Sequence, residues 1–397
     1  MDRRHLLGTG AALAAAGLPP LDGVAHAAPA ASRSATPRPA TARPEVPRAA
    51  GDALPSRAEI TAVLREVADQ WIDANPGPGD NQWANATFYS GLMALHTLTG
   101  DARYLDRSRS WAESHAYALN GGTTTRNADD QCAGQVYLDL YEAEGGSAKL
   151  TAIEACLHRM TYTDQVTKND DWWWDDALHM GMPSFARLGA LRGDTGYWTK
   201  LHSLYTHTKS AEGGPGLFVP ATGLWYRDKN FLPGGILSPS GKPVVWSRGN
   251  GWVAAGHVKT LKALPAGRSD TAEYADTLKR LVTAVARVQR ADGFWNVNLA
   301  DPRHFPGPET SGTVFFAYGT AYAVASGLVD RATYLPVAAR AWNGLVATAV
   351  HPDGALGYVQ KVGDRPDSSQ PVTYDSTADF GVGGFLLAGV ELAALAS

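Results

Sequence analysis

From Ser56 onward, helical segments that carry charge along one face take turns with helical segments that carry almost none, and few folds accommodate such an alternation. Apolar periodicity, broken by Gly, Pro and Asp, predicts about twelve helices. They lie near 56–74, 86–99, 102–119, 127–144, 147–160, 173–190, 194–209, 246–263, 271–291, 310–327, 331–349 and 375–395. The odd-numbered ones are amphipathic, as helices half in water are. The even-numbered ones, such as 86–95, 249–256, 313–319 and 379–388, consist largely of Gly, Ala and aromatic residues, a composition suited to burial on nearly every side. Six outer and six inner helices in strict succession, joined so that neighbours run antiparallel, predict an all-α double ring, the (α/α)6 barrel. An irregular helical bundle is the alternative. A weak repeat favours the ring: segments 223–226, 293–296 and 354–358 each begin with Gly, carry aromatic residues and precede an even-numbered helix.

The chain ahead of these helices reads differently. Arg3 and Arg4 precede an apolar, Ala-rich run that ends near Ala25, His26 and Ala27, so residues 1–27 are expected to be an export signal of the twin-arginine type. Residues 28–54 are rich in Ala, Pro, Ser and Arg and are expected to form a disordered linker. Residues 55–397 then form a single domain, for which an apolar fraction of 44% supplies an ordinary core. The net charge of −4, without runs of either sign, offers no groove for nucleic acid and no patch for a membrane surface. No later run reaches the roughly 18 apolar residues of a spanning helix. Cys132 and Cys156 form either one disulfide or two buried thiols, and neither has the company of a metal site. Zinc, phosphate-loop and serine-elbow motifs are lacking, so no metal and no cofactor is expected.

In a double ring all inner helices start at one end, and whatever precedes them converges on one mouth. There the helix N-termini favour an anion. The sequence puts its unusual residues in those places: 81–88, 126–130, 172–176, 246–252, 309–313 and 374–379. Trp172, Trp173 and Trp174 stand among Asp170, Asp171, Asp175 and Asp176. Indole faces stack on the C–H faces of sugars and exclude water, which raises the pKa of a nearby carboxyl and suits it to donate a proton. Asp170 and Asp171 read as helix-start residues, whereas Asp176 is the candidate acid/base. Asp129 and Asp130 open the fourth helix, either as caps or as the second acid of a two-carboxylate site. Arg248, between Trp246 and Trp252, needs an anion, which a protein carboxylate or a substrate carboxylate supplies equally well. His179, one turn beyond Asp176, either lines the site or packs in the core.

Taken together, segments 174–180, 246–252 and 309–313 resemble the unsaturated glucuronyl and rhamnogalacturonyl hydrolases of glycoside hydrolase families 88 and 105, with family 105 the nearer in appearance. The resemblance runs from about Trp71 to the C-terminus. It implies an (α/α)6-barrel glycosidase that hydrates the C4=C5 double bond of a terminal unsaturated uronic acid. Carried over by motif, Asp176 and Asp129 become the catalytic acids, with Asp130 a near alternative to the second. Asp130, Trp174, Trp246, Arg248 and Trp252 become substrate contacts. Arg227 stands where many relatives carry a histidine, and His179 where they carry an aromatic residue, so both are expected to touch the sugar. The expected partner is a small acidic oligosaccharide, bound by a monomer or weak dimer. Two other readings remain: an inverting glycosidase acting on saturated chains, and a sugar-binding barrel without catalysis.

Overall fold

In the computed structural model, which describes residues 50–396, the first outer helix starts where its sequence says it should. Ser56 Oγ accepts from the Glu59 amide at 3.3 Å while the Glu59 carboxylate accepts from the Ser56 amide at 2.8 Å, a reciprocal cap. Helix α1 (Arg57–Ala74) then buries Ile60, Leu64, Val67 and Ala68, one stripe at helical spacing. There follow α2 (Trp83–Thr99), α3 (Ala102–Ser114), α4 (Ala128–Gln131), α5 (Ala133–Glu144), α6 (Thr151–His158), α7 (Ala177–Arg192) and α8 (Thr195–Ser210). Then come α9 (Ser247–Ala263), α10 (Ser269–Ala286), α11 (Thr310–Ala325), α12 (Arg331–Thr348) and α13 (Asp379–Leu395). The expected fourth helix is thus divided at Cys132 into α4 and α5.

Packing closes the inner helices into a ring: α2 lies on α5, α5 on α7, α7 on α9, α9 on α11, α11 on α13, and α13 returns to α2. Helices α1, α3, α6, α8, α10 and α12 lean on this ring from outside. The molecule is the predicted (α/α)6 barrel. Its inner helices are buried almost all round; in α11 only Tyr322 and Ala325 escape full burial. Small residues let inner backbones meet closely: a Cβ on Gly91 of α2 would stand 2.4 Å from the Gly383 carbonyl oxygen of α13.

The repeat seen in the sequence has a structural counterpart. Gly223, Gly293 and Gly354 adopt left-handed φ values of 77°, 89° and 83°. Each also presses on an outer helix further round the ring, since an added Cβ would lie 2.8, 2.1 and 3.0 Å from the carbonyl oxygens of Arg280, Arg340 and Glu66. Entry segments in these three hairpins therefore rest on α10, α12 and α1, and the last of these contacts ties the end of the chain to its beginning.

One helix starts late, with consequences for the site. The expected helix over 173–190 begins at Ala177, because Trp174 pairs as an isolated bridge with Asp228 and the Asp175 amide donates to the Arg227 carbonyl at 2.8 Å. This pairing extends a small ribbon of β1 (Phe218–Val219) and β2 (Leu224–Trp225) in the same loop. The third helix stops at Ser114 rather than near 119, where Ala116 and Tyr117 turn to left-handed φ values of 50° and 54°.

The expected export signal lies outside the described residues. Of the expected linker, residues 50–54 are described, and they lie along α12: Asn343 donates to the carbonyls of Gly51 and Ala53, and Arg340 pairs with Asp52 at 2.7 Å. Cys132 and Cys156 are two buried free thiols. No helix among the described residues is long and apolar enough to cross a membrane.

Candidate active site

Asp176 occupies the cap position of α7 yet caps nothing, for its side chain accepts no bond from the helix amides. Its Oδ2 accepts instead from Arg227 Nε at 3.1 Å. Its Oδ1 is buried and has no hydrogen-bond partner among the described residues. With 7% of its surface exposed, the carboxyl is pushed above the ordinary aspartate range by burial, while Arg227 and Arg248 pull it back.

Arg227 reaches Asp176 because of the backbone pairing that delays α7. Its Nη1 donates to Asp228 at 2.8 Å, and its guanidinium sits 5.4 Å from the ring centroid of Trp173. Nη2 has no partner among the described residues. The ribbon carrying Arg227 is itself clamped by Asn250 of α9, which accepts from the Trp225 amide and donates to the Trp225 carbonyl, both at 2.9 Å. Asn250 thus holds its place in the 246–252 motif by positioning another segment.

The two acids of α4 have separate tasks. Asn127 caps the helix by accepting from the Asp129 amide at 3.0 Å, which leaves the Asp129 carboxyl free. Burial and the neighbouring charge of Asp176 push that carboxyl up to about 7, although Asp129 retains some contact with solvent. Asp130, expected as a near alternative and as a substrate contact, accepts from Asn120 at 2.7 Å and Thr125 at 2.5 Å and so braces the 120–125 loop.

Arg248 is 1% exposed and meets no carboxylate in an ion pair among the described residues. Its Nη1 donates to the carbonyls of Gln360 at 2.5 Å and Lys361 at 3.1 Å, its Nη2 to that of Gly363 at 3.1 Å. The guanidinium stacks 4.3 Å from the Trp246 ring, and Trp246 Nε1 donates to the Gln360 side chain at 2.9 Å. Burial lowers the Arg248 pKa to about 10, so the group stays cationic at neutral pH. In place of a protein carboxylate, three backbone carbonyls of the 360–363 loop accept from Arg248 and tie that loop to the start of α9.

The aromatic residues also divide. Trp252 is the centre of a buried floor, with ring centroids 4.2 Å from Phe315, 4.7 Å from His179 and 5.8 Å from Trp83. His179 is fully buried, neither ring nitrogen has a partner among the described residues, and burial holds its pKa well below the usual value, so the ring is neutral. Trp174 is 4% exposed; its neighbour Trp173, beside Arg227, is 47% exposed and is the indole at the surface. A helix over 173–190 hides this distinction, whereas an extended 172–174 segment turns successive side chains to opposite sides. Asp175 is a further residue that the sequence did not single out. It is fully buried, both oxygens lack partners among the described residues, and burial together with Asp176 raises its pKa well above normal.

The model of Glycosyl Hydrolase Family 88 matches residues 61–396. An unsaturated 3S-rhamnoglycuronyl hydrolase of Formosa agariphila is 29% identical over 359 residues, which cover 85% of this chain and 91% of that protein. A solved family 88 glycosyl hydrolase from Bacteroides vulgatus superposes with a TM-score of 0.79 at 31% identity, covering 86% of this chain and 99% of that one. A solved protein described as a polysaccharide lyase gives 0.79 at 34% identity, over 85% and 98% of the two chains. The family match spans the whole ring of helices and every residue of the mouth described above, and the chain belongs to glycosyl hydrolase family 88.

Proposed function

We propose that this glycosidase removes a terminal 4,5-unsaturated uronic acid from oligosaccharides left by polysaccharide lyases, by adding water across the C4=C5 bond with Asp176 as acid and then base. The family and the Formosa relative support the reaction class. One observation carries the choice of residue: Asp176 Oδ1 is buried and unpartnered, while Oδ2 is fixed by Arg227. Burial raises the carboxyl above its ordinary range while Arg227 and Arg248 favour its anion, opposing pulls that suit a group which must give and then take a proton.

The proton passes from Asp176 to C4, and the alkene electrons form the new C–H bond. Positive character develops at C5 and is shared by the ring oxygen. The oxygen of water bonds to C5 and its proton goes to the Asp176 carboxylate, which restores the acid. The hemiketal then opens by breaking the bond between C5 and the ring oxygen, and the resulting hemiacetal at C1 releases the remaining sugar as an alcohol. Arg227 Nη2, without a partner among the described residues, receives the uronate carboxylate, and Trp173 offers a face to the sugar. Asp129, with a pKa near that of neutral solution, orients the water or a ring hydroxyl. Arg248 anchors the loop that walls the mouth. The Formosa relative's name makes a rhamnose-linked uronate the first substrate to try. Export by the twin-arginine route, read from Arg3 and Arg4, suits an enzyme fed by extracellular polysaccharide fragments.

The test is to incubate the protein with lyase-generated oligosaccharides, rhamnose-linked ones included, and follow the ultraviolet band of the conjugated double bond. The proposal expects that band to fade as a reducing sugar appears. A rising band on saturated chains would mean eliminative cleavage, the chemistry of a lyase. Cleavage of saturated chains with no change in the band would mean an ordinary glycosidase, and binding without any turnover a sugar-binding barrel.

A further inference from the structure

At the end of the barrel opposite the mouth, the inner helices finish around a cavity of about 1010 Å³. Most of the charge facing it is paired. Arg187 of α7 lies 2.7 Å from Asp139 and 2.9 Å from Glu142, both of α5, and Lys262 of α9 is bonded to Glu391 of α13. Lys259 is different. Its ammonium is held by two neutral groups, the Ser90 hydroxyl and the Gln135 side-chain oxygen, the latter at 2.8 Å, and no carboxylate pairs with it among the described residues. An ammonium has three protons, and two are used here. Asp139, whose negative charge Lys259 senses, is already held by Arg187. Tyr318 of α11, 3% exposed, lines the same cavity, and its hydroxyl has no hydrogen-bond partner among the described residues.

Lys259 is half-buried at the cavity wall, and a partly desolvated cation with no carboxylate partner favours an anion that brings its charge into contact. Burial lowers the Lys259 pKa to about 8, the response expected of an ammonium in such a place. Beside it, Met93 and Leu387 give the cavity apolar walls, and Thr97 and His96 give it groups that bond hydroxyls. We propose that this cavity is a second ligand site, separate from the mouth, which takes the carboxylate of a small hydroxylated acid between Lys259 and Tyr318. The site also abuts the helix that carries Asp176, because Gln135 Nε2 donates to the His179 carbonyl at 2.8 Å and to that of Met180 at 3.2 Å. The choice of a sugar acid rests on the activity proposed above; the unpaired cation and the open hydroxyl do not.

The probe is D-glucuronate, which has no double bond to hydrate, titrated calorimetrically into the full protein and into two variants. The Lys259→Met variant is expected to take up one equivalent fewer than the parent. Tyr318→Phe, which removes a single oxygen, is expected to weaken that equivalent roughly fivefold. Equal stoichiometry in the parent and a Lys259→Met variant of native circular dichroism would overturn the proposal, as would no uptake by the parent. If the methionine variant fails to fold, Tyr318→Phe decides, and an unchanged titration rules the site out. A parent that binds at this cavity yet hydrates no unsaturated sugar would sink the proposed activity and leave this site standing.

Discussion

The two oxygens of Asp176 have different surroundings, and the difference separates position from reactivity. Arg227 holds Oδ2, so the carboxyl cannot swing, and Oδ1 has only the substrate to meet. Replacing Asp176 by Asn keeps the shape and the contact with Arg227 but removes the acidic proton. Its kcat should fall by roughly 10²–10⁴-fold with KM little changed, read from initial rates of loss of the double-bond absorbance. A drop of less than tenfold would move the acid elsewhere, with Asp175 and Asp129 next in line. The two arginines at the mouth should respond differently to loss of their planar forks. Arg227→Lys is expected to raise KM on the order of tenfold, since a single nitrogen lacks the planar fork that meets Asp176 and Asp228 through separate atoms and leaves Nη2 for a uronate. Arg248→Lys should mainly lower the thermal midpoint, because it surrenders bonds to three carbonyls of the loop. If the two variants shifted KM equally, the assignment of the uronate to Arg227 would fail. At this scale the sequence told part of the story. Asp176 and Asp129 stood out by their company, but nothing local distinguishes Trp173 from Trp174, or Asp129 from Asp130, until neighbours from distant segments are known.

Helices were the legible elements, because their signals are local. The stripe of α1, the cap at Ser56 and the uncharged run of α11 lie within a few turns of chain. The start of α7 was not legible, for it is set by a partner about fifty residues away: the 174–175 backbone bonds to 227–228 instead of extending the helix. That non-local pairing is also what brings Arg227 to Asp176. Elements here are joined by glycines of two kinds, and they should differ in tolerance. Gly100 ends α2 with φ 68° and open space around it, so Gly100→Ala meets only the left-handed backbone penalty of about 1–2 kcal/mol. At Gly293 the same penalty is joined by a Cβ only 2.1 Å from the Arg340 carbonyl oxygen, so a shift of α12 is forced and the loss should exceed 3 kcal/mol. Denaturant midpoints of the two variants measure the contrast, and equal values would show that the entry segment does not bear on the outer helix as described.

Gathering six inner helix starts at one mouth crowds carboxyl groups where solvent is scarce, and the whole molecule carries the consequence as a dependence of stability on pH. Asp129 is pushed up to about 7, Asp379 to about 6 and Asp175 well above its usual value, each chiefly by burial. In the unfolded chain all three would ionise near 3.9. A raised acid contributes its stability in full below the unfolded pKa and loses it as pH climbs toward the folded one, because over that interval only the unfolded chain releases the proton. Each such group therefore costs the fold at most about 1.4 kcal/mol per pH unit between roughly pH 4 and its own folded pKa. Acids held low by partners, Asp301 at about 2 through Ser240 and Ser238 among them, act in the opposite sense and below that window. Buried His179 and His257, both held below the usual imidazole range, act in the opposite sense up to about pH 6.5, so the raised acids set the slope only above it and the thermal midpoint should fall from pH 6.5 to pH 7.5. Asp129→Asn removes one contributor, so its midpoint should exceed that of the parent at pH 7.5 and the excess should shrink toward pH 5, measured by circular dichroism melts across the range. An excess that stays constant with pH would mean that the Asp129 carboxyl titrates normally and that the mouth does not strain its acids.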